Sequence, residues 1–247
     1  MERRRYQVLD TIRGCALVSM ILYHAAWDLV YLFGADWPWY HGFAAHVWQQ
    51  SICWTFILLS GYCFSLGRHQ LRRGLTVFLC GALITAVTWA FMPENLVLFG
   101  VLTLLGTSML LTSGFQHLLQ KIPPRVGLAG SFLLFLLTRD VNAGYLGFEG
   151  TRIFRVWDGA RDLSTAFAGF PPADFFSTDY FSLLPWYFLF LTGYFLFRLR
   201  PEEVRETRRV PLVTAMGRHS LLIYMLHQPV IYALLTAGHF LLTGATS

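Results

Sequence analysis

The chain has 247 residues, of which 55% are hydrophobic and 13% charged, and its formal charge is +5. Soluble domains usually carry about 25% charged residues, so this composition excludes a water-soluble globule and points to a multi-pass membrane protein. The basic residues sit in linkers beside apolar runs, which fits lipid headgroups and membrane orientation and argues against nucleic acid as a partner.

Seven apolar stretches predict an all-α fold, a polytopic transmembrane helical bundle forming a single domain over 1–247. Helices are expected near 9–33, 46–67, 74–91, 96–119, 125–138, 181–197 and 212–242. The fifth is short for a bilayer, and the last contains His227-Gln228-Pro229, where proline can kink a helix.

Cationic linkers alternate with linkers lacking Lys and Arg, except for 139–180, which carries Arg139, Arg152, Arg155 and Arg161 but weighs less in the count because it is long. Arg3, Arg4 and Arg5 precede the first run, and Arg68, Arg72 and Arg73 follow the second. Lys121 and Arg125 follow the fourth, and Arg198, Arg200, Arg205, Arg208 and Arg209 the sixth, whereas 34–45 and 92–95 have neither residue type. The positive-inside rule then puts the N-terminus in the cytoplasm and the C-terminus outside, and the expected location is the inner (plasma) membrane. The start does not read as a cleavable signal, because Asp10, Arg13, His24 and Asp28 interrupt the first run. Cys15, Cys53, Cys63 and Cys80 all fall in apolar segments without metal spacing, so no metal is expected and small buried hydrophobes are the default.

Intramembrane ionisable groups carry the functional signal, since hydrocarbon makes them costly. His24 and Asp28 are four apart and share a helix face, so the carboxylate can hold one ring nitrogen protonated and leave the other as a base. A polar lock between helices is the alternative. Asp10 and Arg13 share a face roughly 20 Å nearer the N-terminal end of that helix. They form either a structural ion pair or, through the Arg13 fork, a clamp for an anionic ligand. Ser60 and Gly61 read as close-packing positions, with Ser60 a second choice as a cofactor donor.

Residues 139–180 form an expected outer loop, rich in glycine and carrying Pro171-Pro172, long enough to be a lid or a tolerated insertion. Within it, 141–156 reads less well as an added membrane span, because Glu149, Arg152 and Arg155 break the run. Asp179-Tyr180 precedes the sixth helix, where the aspartate either approaches the outer mouth of a site or caps its own helix. In the last helix Arg218 lies near the cytoplasmic edge and snorkels, while His227 is about nine residues deeper. His227 either lines a cavity with His24 or hydrogen-bonds with Gln228. His41 lies in the outer linker after Trp37 and Trp39, a combination able to contact a sugar face.

Several ordered blocks together resemble the heparan-alpha-glucosaminide N-acetyltransferase catalytic-domain family, in its short bacterial branch. They are Leu9-Asp10-Thr11-Ile12-Arg13-Gly14 with His24-Ala25-Ala26-Trp27-Asp28, Phe56 with Ser60-Gly61, and Phe99-Gly100-Val101-Leu102. Asp179-Tyr180-Phe181 with Leu184-Pro185-Trp186, and Gly217-Arg218-His219-Ser220 with Tyr224 and His227-Gln228-Pro229, complete the set. The Arg13 to His24 spacing also looks like that of broader membrane acyltransferases acting on surface sugars. The resemblance implies transfer of an acetyl or acyl group from cytoplasmic acetyl-CoA or another acyl-CoA to an amine or hydroxyl acceptor, a sugar or cell-envelope component. It implies acyl-CoA held near Arg13, Arg72, Arg73, Arg218 and Ser60, and chemistry at His24, Asp28, His227, Asp179 and His41. In eukaryotic relatives asparagine stands at the position of His24 and the essential histidine follows in the next linker, where His41 is the nearest counterpart here. Bacterial relatives commonly have histidine where this chain has Thr103. Expected partners are membrane lipids, acyl-CoA and the acceptor, and a homodimer is compatible with the sequence. The rival readings are a solute or proton-coupled transporter, against which stands the lack of an inverted repeat, and a non-catalytic scaffold.

Overall fold

A computed structural model describes residues 7–157, 159–199 and 210–244. Arg3, Arg4, Arg5, Arg200, Arg205, Arg208 and Arg209, which entered the orientation count, lie outside the described residues. The elements in order are α1 (Gln7–Tyr31), α2 (Phe43–Phe64), α3 (Gln70–Phe91), α4 (Val101–Gly114), α5 (Gln116–Lys121) and α6 (Pro124–Leu137). There follow β1 (Tyr145–Phe148), β2 (Thr151–Arg155), α7 (Leu163–Ala168), α8 (Leu183–Leu199), α9 (Pro211–Arg218) and α10 (Ser220–Gly244). The protein is mostly helical, and α1, α3 and α10 are long and apolar enough to cross a membrane. On α3, Leu71, Leu75, Leu79, Leu83 and Val87 are exposed at four-residue spacing, the stripe expected of a helix facing lipid.

The chain forms two compact units, one from residues up to Phe56 together with the C-terminal helices, the other from Ile57 to Pro201. In the first, Leu17, Met20 and Ile52 make a buried core flanked by Tyr23, Trp48, Ile223 and Tyr224. Glycine brings α9 onto α1. A Cβ at Gly14 would strike the Val213 carbonyl, and one at Gly217 would strike the Asp10 carbonyl, so the backbones touch where side chains are missing. The Thr11 and Thr214 hydroxyls bond across the same contact at 2.8 Å. This crossing explains a departure from the expected single helix over 212–242. The chain breaks at His219 (φ −104°, ψ 26°), just past the Gly217 contact, and starts again as α10, which runs through Pro229. Cys15 also departs from expectation: it is exposed on α1, whereas Cys63 is buried.

In the second unit the predicted 96–119 helix is two helices, α4 and α5, preceded by an extended entry with Phe99 at φ +56°. Thr103 is buried in this unit, and a Cβ on Gly81 of α3 would run into its backbone and hydroxyl. Gly81 is thus a helix-packing point with no room for a side chain. Arg198 of α8 donates from Nη1 to the carbonyls of Leu119 (2.8 Å) and Ile122 (3.1 Å), and from Nη2 to that of Gln120 (3.1 Å). A cation therefore satisfies the orphan carbonyls at the end of α5. Replacing Arg198 with Met keeps the stem and removes these bonds, and is expected to destabilise the protein by about 2–3 kcal/mol. Thermal unfolding in detergent checks this, and an unchanged midpoint refutes the assignment.

Residues 139–180 are not structureless. The β1–β2 pair is an antiparallel hairpin closed by Glu149 (φ +45°) and Gly150 (φ +95°), so two residues with positive φ make the tight turn that strand twist favours. The hairpin is a small departure from the all-helical expectation. Residues 145–155 form strands, with every residue of β2 exposed, and not a spanning helix. Asp140 Oδ2 accepts from the Gly150 N–H at 2.9 Å and pins the turn. Further on, Asp162 caps α7. Hydrogen bonds from the Thr165 backbone and the Ser164 hydroxyl hold its carboxyl below the usual range.

Candidate active site

In the first unit, His24 and Asp28 occupy one face of α1 and meet His227 and Gln228 of α10. The His24 and His227 rings lie 4.8 Å apart, edge to face at 63°. His227 Nδ1 is 2.6 Å from the Tyr224 carbonyl, which can only accept, so Nδ1 carries the proton. The lone pair therefore resides on Nε2, which is buried and receives no hydrogen bond among the described residues. This tautomer makes His227 a proton acceptor. It becomes a donor at Nε2 only after taking a proton.

Asp28 is fully buried, and its Oδ1 accepts from Gln228 Nε2 at 2.6 Å. The expected hydrogen bond from Asp28 to His24 is not formed, although the two residues are one turn apart. The carboxylate is held by an amide from the facing helix, and the His24 ring is turned toward His227. Gln228 does make an interhelical bond, with Asp28 in place of His227.

An aromatic wall adjoins this cluster. Tyr23 packs against the His24 edge at 6.0 Å and against Trp48 at 5.2 Å. Tyr40, in the linker between α1 and α2, is buried and donates to the Tyr23 carbonyl at 3.1 Å. Burial pushes its phenol well above the ordinary tyrosine range, so it stays a donor. Trp37, Trp39 and Trp48 stack in succession with centroids 5.9 and 6.3 Å apart. His41 makes its contacts with Tyr31, whose hydroxyl is 3.2 Å from His41 Nδ1, and with the Tyr40 ring.

Where α1 meets α9, Asp10 gathers both arginines singled out in the sequence. Its Oδ1 is 3.3 Å from Arg13 Nη1, and its Oδ2 is 3.7 Å from Arg218 Nε. Arg13 also reaches the Gly217 carbonyl at 3.5 Å. A depression of about 210 Å³ lies beside this cluster, lined by Gln7, Pro211, Thr214 and Arg218. Arg218 is thus tied to a carboxylate and is not simply extended to the membrane surface.

The remaining candidates lie in the second unit. Arg72 lines a depression of about 340 Å³ with His69, Gln70, Leu71, Ser113 and Gln116, at the side-chain-uncapped start of α3. The Arg73 guanidinium covers Gly67, where a Cβ would collide with it. Ser60 precedes Gly61 on α2, and Gly61 is a close-packing position against α8. Asp179 Oδ2 accepts from the Val101 N–H at 3.2 Å, at the first turn of α4. The aspartate thus bonds the start of another helix. Ser177 bonds both the N–H and the carbonyl of Leu98, and Phe181 N–H bonds the Phe99 carbonyl, so the two segments run together there.

Sequence reasoning missed Gln228 as the partner of Asp28, and Tyr40 as a buried donor. The only signal for Gln228 was its position beside His227; for Tyr40 there was none beyond an aromatic-rich linker.

The family model described as "Heparan-alpha-glucosaminide N-acetyltransferase, catalytic" matches residues 5–229. No curated protein and no solved structure matches the chain.

Proposed function

Because the chain belongs to the heparan-alpha-glucosaminide N-acetyltransferase catalytic family, we propose that it is a membrane acyltransferase moving an acetyl or other acyl group from acyl-CoA to an amine or hydroxyl acceptor. The observation that carries this reading is the His24–His227 apposition with a free lone pair on His227 Nε2. The family match runs through both compact units, which supports treating 1–247 as one catalytic domain.

In the proposed reaction His227 Nε2 takes the proton of the acceptor as it attacks the thioester carbonyl carbon. His24, packed beside it, is proposed to take part in the proton transfer, and the resulting imidazolium returns the proton to the departing thiolate of CoA. Asp28 acts through Gln228, fixing the amide beside His227. His41 and the tryptophans of the outer linker are proposed to shape the acceptor side. The nucleotide end of acyl-CoA is proposed to approach Arg13 and Arg218. Phosphate suits these groups because a guanidinium fork binds it bidentately. The distribution of arginines supports a cytoplasmic location for that end.

Titration of the purified protein in nanodiscs with acetyl-CoA tests the reading. Saturable binding is expected. Arg13→Gln is expected to weaken it about tenfold, the loss of one charge-assisted hydrogen bond, while His41→Ala leaves it unchanged. Transport of a labelled solute without any acetyl-CoA binding overturns the reading in favour of a transporter.

A further inference from the structure

The β1–β2 hairpin of the second unit carries an apolar cluster at its surface. Ile153 and Phe154 are 67% and 65% exposed, and Phe148 and Val156 are exposed close by in sequence. Single exposed apolar residues are ordinary, but a cluster of large ones marks a contact surface. The strand pairing explains why both neighbours stand clear. Leu146 pairs with Phe154 and Gly147 with Arg152, so the register skips Ile153 at a bulge. A bulge breaks the alternation of a strand, and every residue of β2 is exposed. Cations flank the cluster. Arg152 and Arg155 are exposed on the same strand, with the Arg152 guanidinium 4.8 Å from the Tyr145 ring centre. The acids of the hairpin's base and turn are engaged elsewhere: Glu149 pairs with Arg139 at 3.3 Å, and Asp140 holds the Gly150 N–H.

The hairpin's attachment says what covers this surface. Gly147 bridges to Thr138, and the Asp140 N–H donates to the Gly147 carbonyl at 3.3 Å, which fixes the hairpin to the end of α6. That helix exposes Val126, Phe132, Leu133 and Leu134, an apolar side that meets lipid in a membrane protein. The hairpin itself stays out of the hydrocarbon, because its strand edges carry N–H and C=O groups that need water or headgroups. The headgroup layer satisfies both demands: apolar side chains dip toward the acyl chains while guanidinium forks bind lipid phosphate. We propose that the 145–156 hairpin is an interfacial anchor, which seats Ile153 and Phe154 in the headgroup layer of an anionic bilayer and sets Arg152 and Arg155 on lipid phosphate. This surface uses none of the groups assigned to acyl transfer and stands independently of that reading.

The test uses the full chain in nanodiscs of phosphatidylcholine, alone or mixed equally with phosphatidylglycerol. An environment-sensitive fluorescent amino acid replaces Ile153, and its emission is quenched by acrylamide from water or by a nitroxide on the lipid headgroup. In the mixed discs the nitroxide is expected to quench and acrylamide to lose access. Each arginine is expected to raise the ratio of seated to lifted hairpin about fivefold over phosphatidylcholine alone, the attraction of one cation to an anionic surface. Arg152→Gln with Arg155→Gln is expected to remove that increment. Full acrylamide access in the mixed discs overturns the proposal, since the hairpin then stands in water. A probe shielded from both quenchers also overturns it, since protein then covers the cluster. Equal seating in the two lipids, or seating undiminished in the double variant, sinks it as well. If the double variant does not elute as a monodisperse species, salt decides with both arginines in place. At about 1 M, where screening acts within roughly 3 Å, the difference between the lipids is expected to vanish, and a difference that persists refutes the anchor.

Discussion

His227→Ala is expected to lower acyl transfer by about 10²–10⁴-fold, the usual contribution of a positioned general base, while the protein still elutes as a folded species. The expectation follows from the tautomer set by the Tyr224 carbonyl, which leaves Nε2 as a buried proton acceptor. His24→Ala is expected to abolish most turnover as well, since it removes the ring packed 4.8 Å from His227 that is proposed to take part in the proton transfer. Release of CoA thiol, followed with mass spectrometry of the acceptor, reads both variants. Full turnover in His24→Ala would remove that residue from the chemistry and leave it a packing group. Full turnover in His227→Ala would sink the proposed mechanism.

Gly61→Leu is expected to prevent the second unit from accumulating in a folded state, a loss beyond about 4 kcal/mol. The helices α2 and α8 cross glycine against backbone in both directions. A Cβ on Gly61 would strike the Phe190 carbonyl, and a Cβ on Gly193 would strike the Leu58 carbonyl. Separating them also strips Phe64, which is buried against Phe190 and Tyr194 at ring distances of 6.1 and 6.0 Å. Gly130 of α6 provides the opposite sign, because a Cβ there meets no atom of the described residues within 4 Å. Gly130→Ala should leave the protein equally or more stable by about 0.4–1 kcal/mol, through reduced freedom of the unfolded chain. Thermal unfolding of the three proteins separates crowding from propensity, and a folded, stable Gly61→Leu would refute the close crossing.

Helix identity was legible wherever apolar runs were long. The expected helices near 9–33 and 74–91 lie within a few residues of α1 and α3. Boundaries set by tertiary contact were not. The break at His219 follows from backbone contact at Gly217, and the entry to α4 is shaped by Asp179 and Ser177, distant in sequence. The 145–155 hairpin escaped notice because its turn is Glu149-Gly150, outside the Asn-Gly and Asp-Gly pairs that usually announce such turns.

The same division holds at the site. Composition and apolar run length by themselves determined a helical membrane protein, and the cost of burying charge singled out His24, Asp28 and His227 as residues needing a reason. Ordered motifs along the chain determined the family. Which polar atom bonds which was decided only by tertiary structure. Helical spacing places Asp28 beside His24, but a facing helix brought Gln228 closer, and a carboxylate oxygen takes the donor that packing presents to it. Sequence periodicity describes one helix at a time, whereas protonation state and donor supply depend on two.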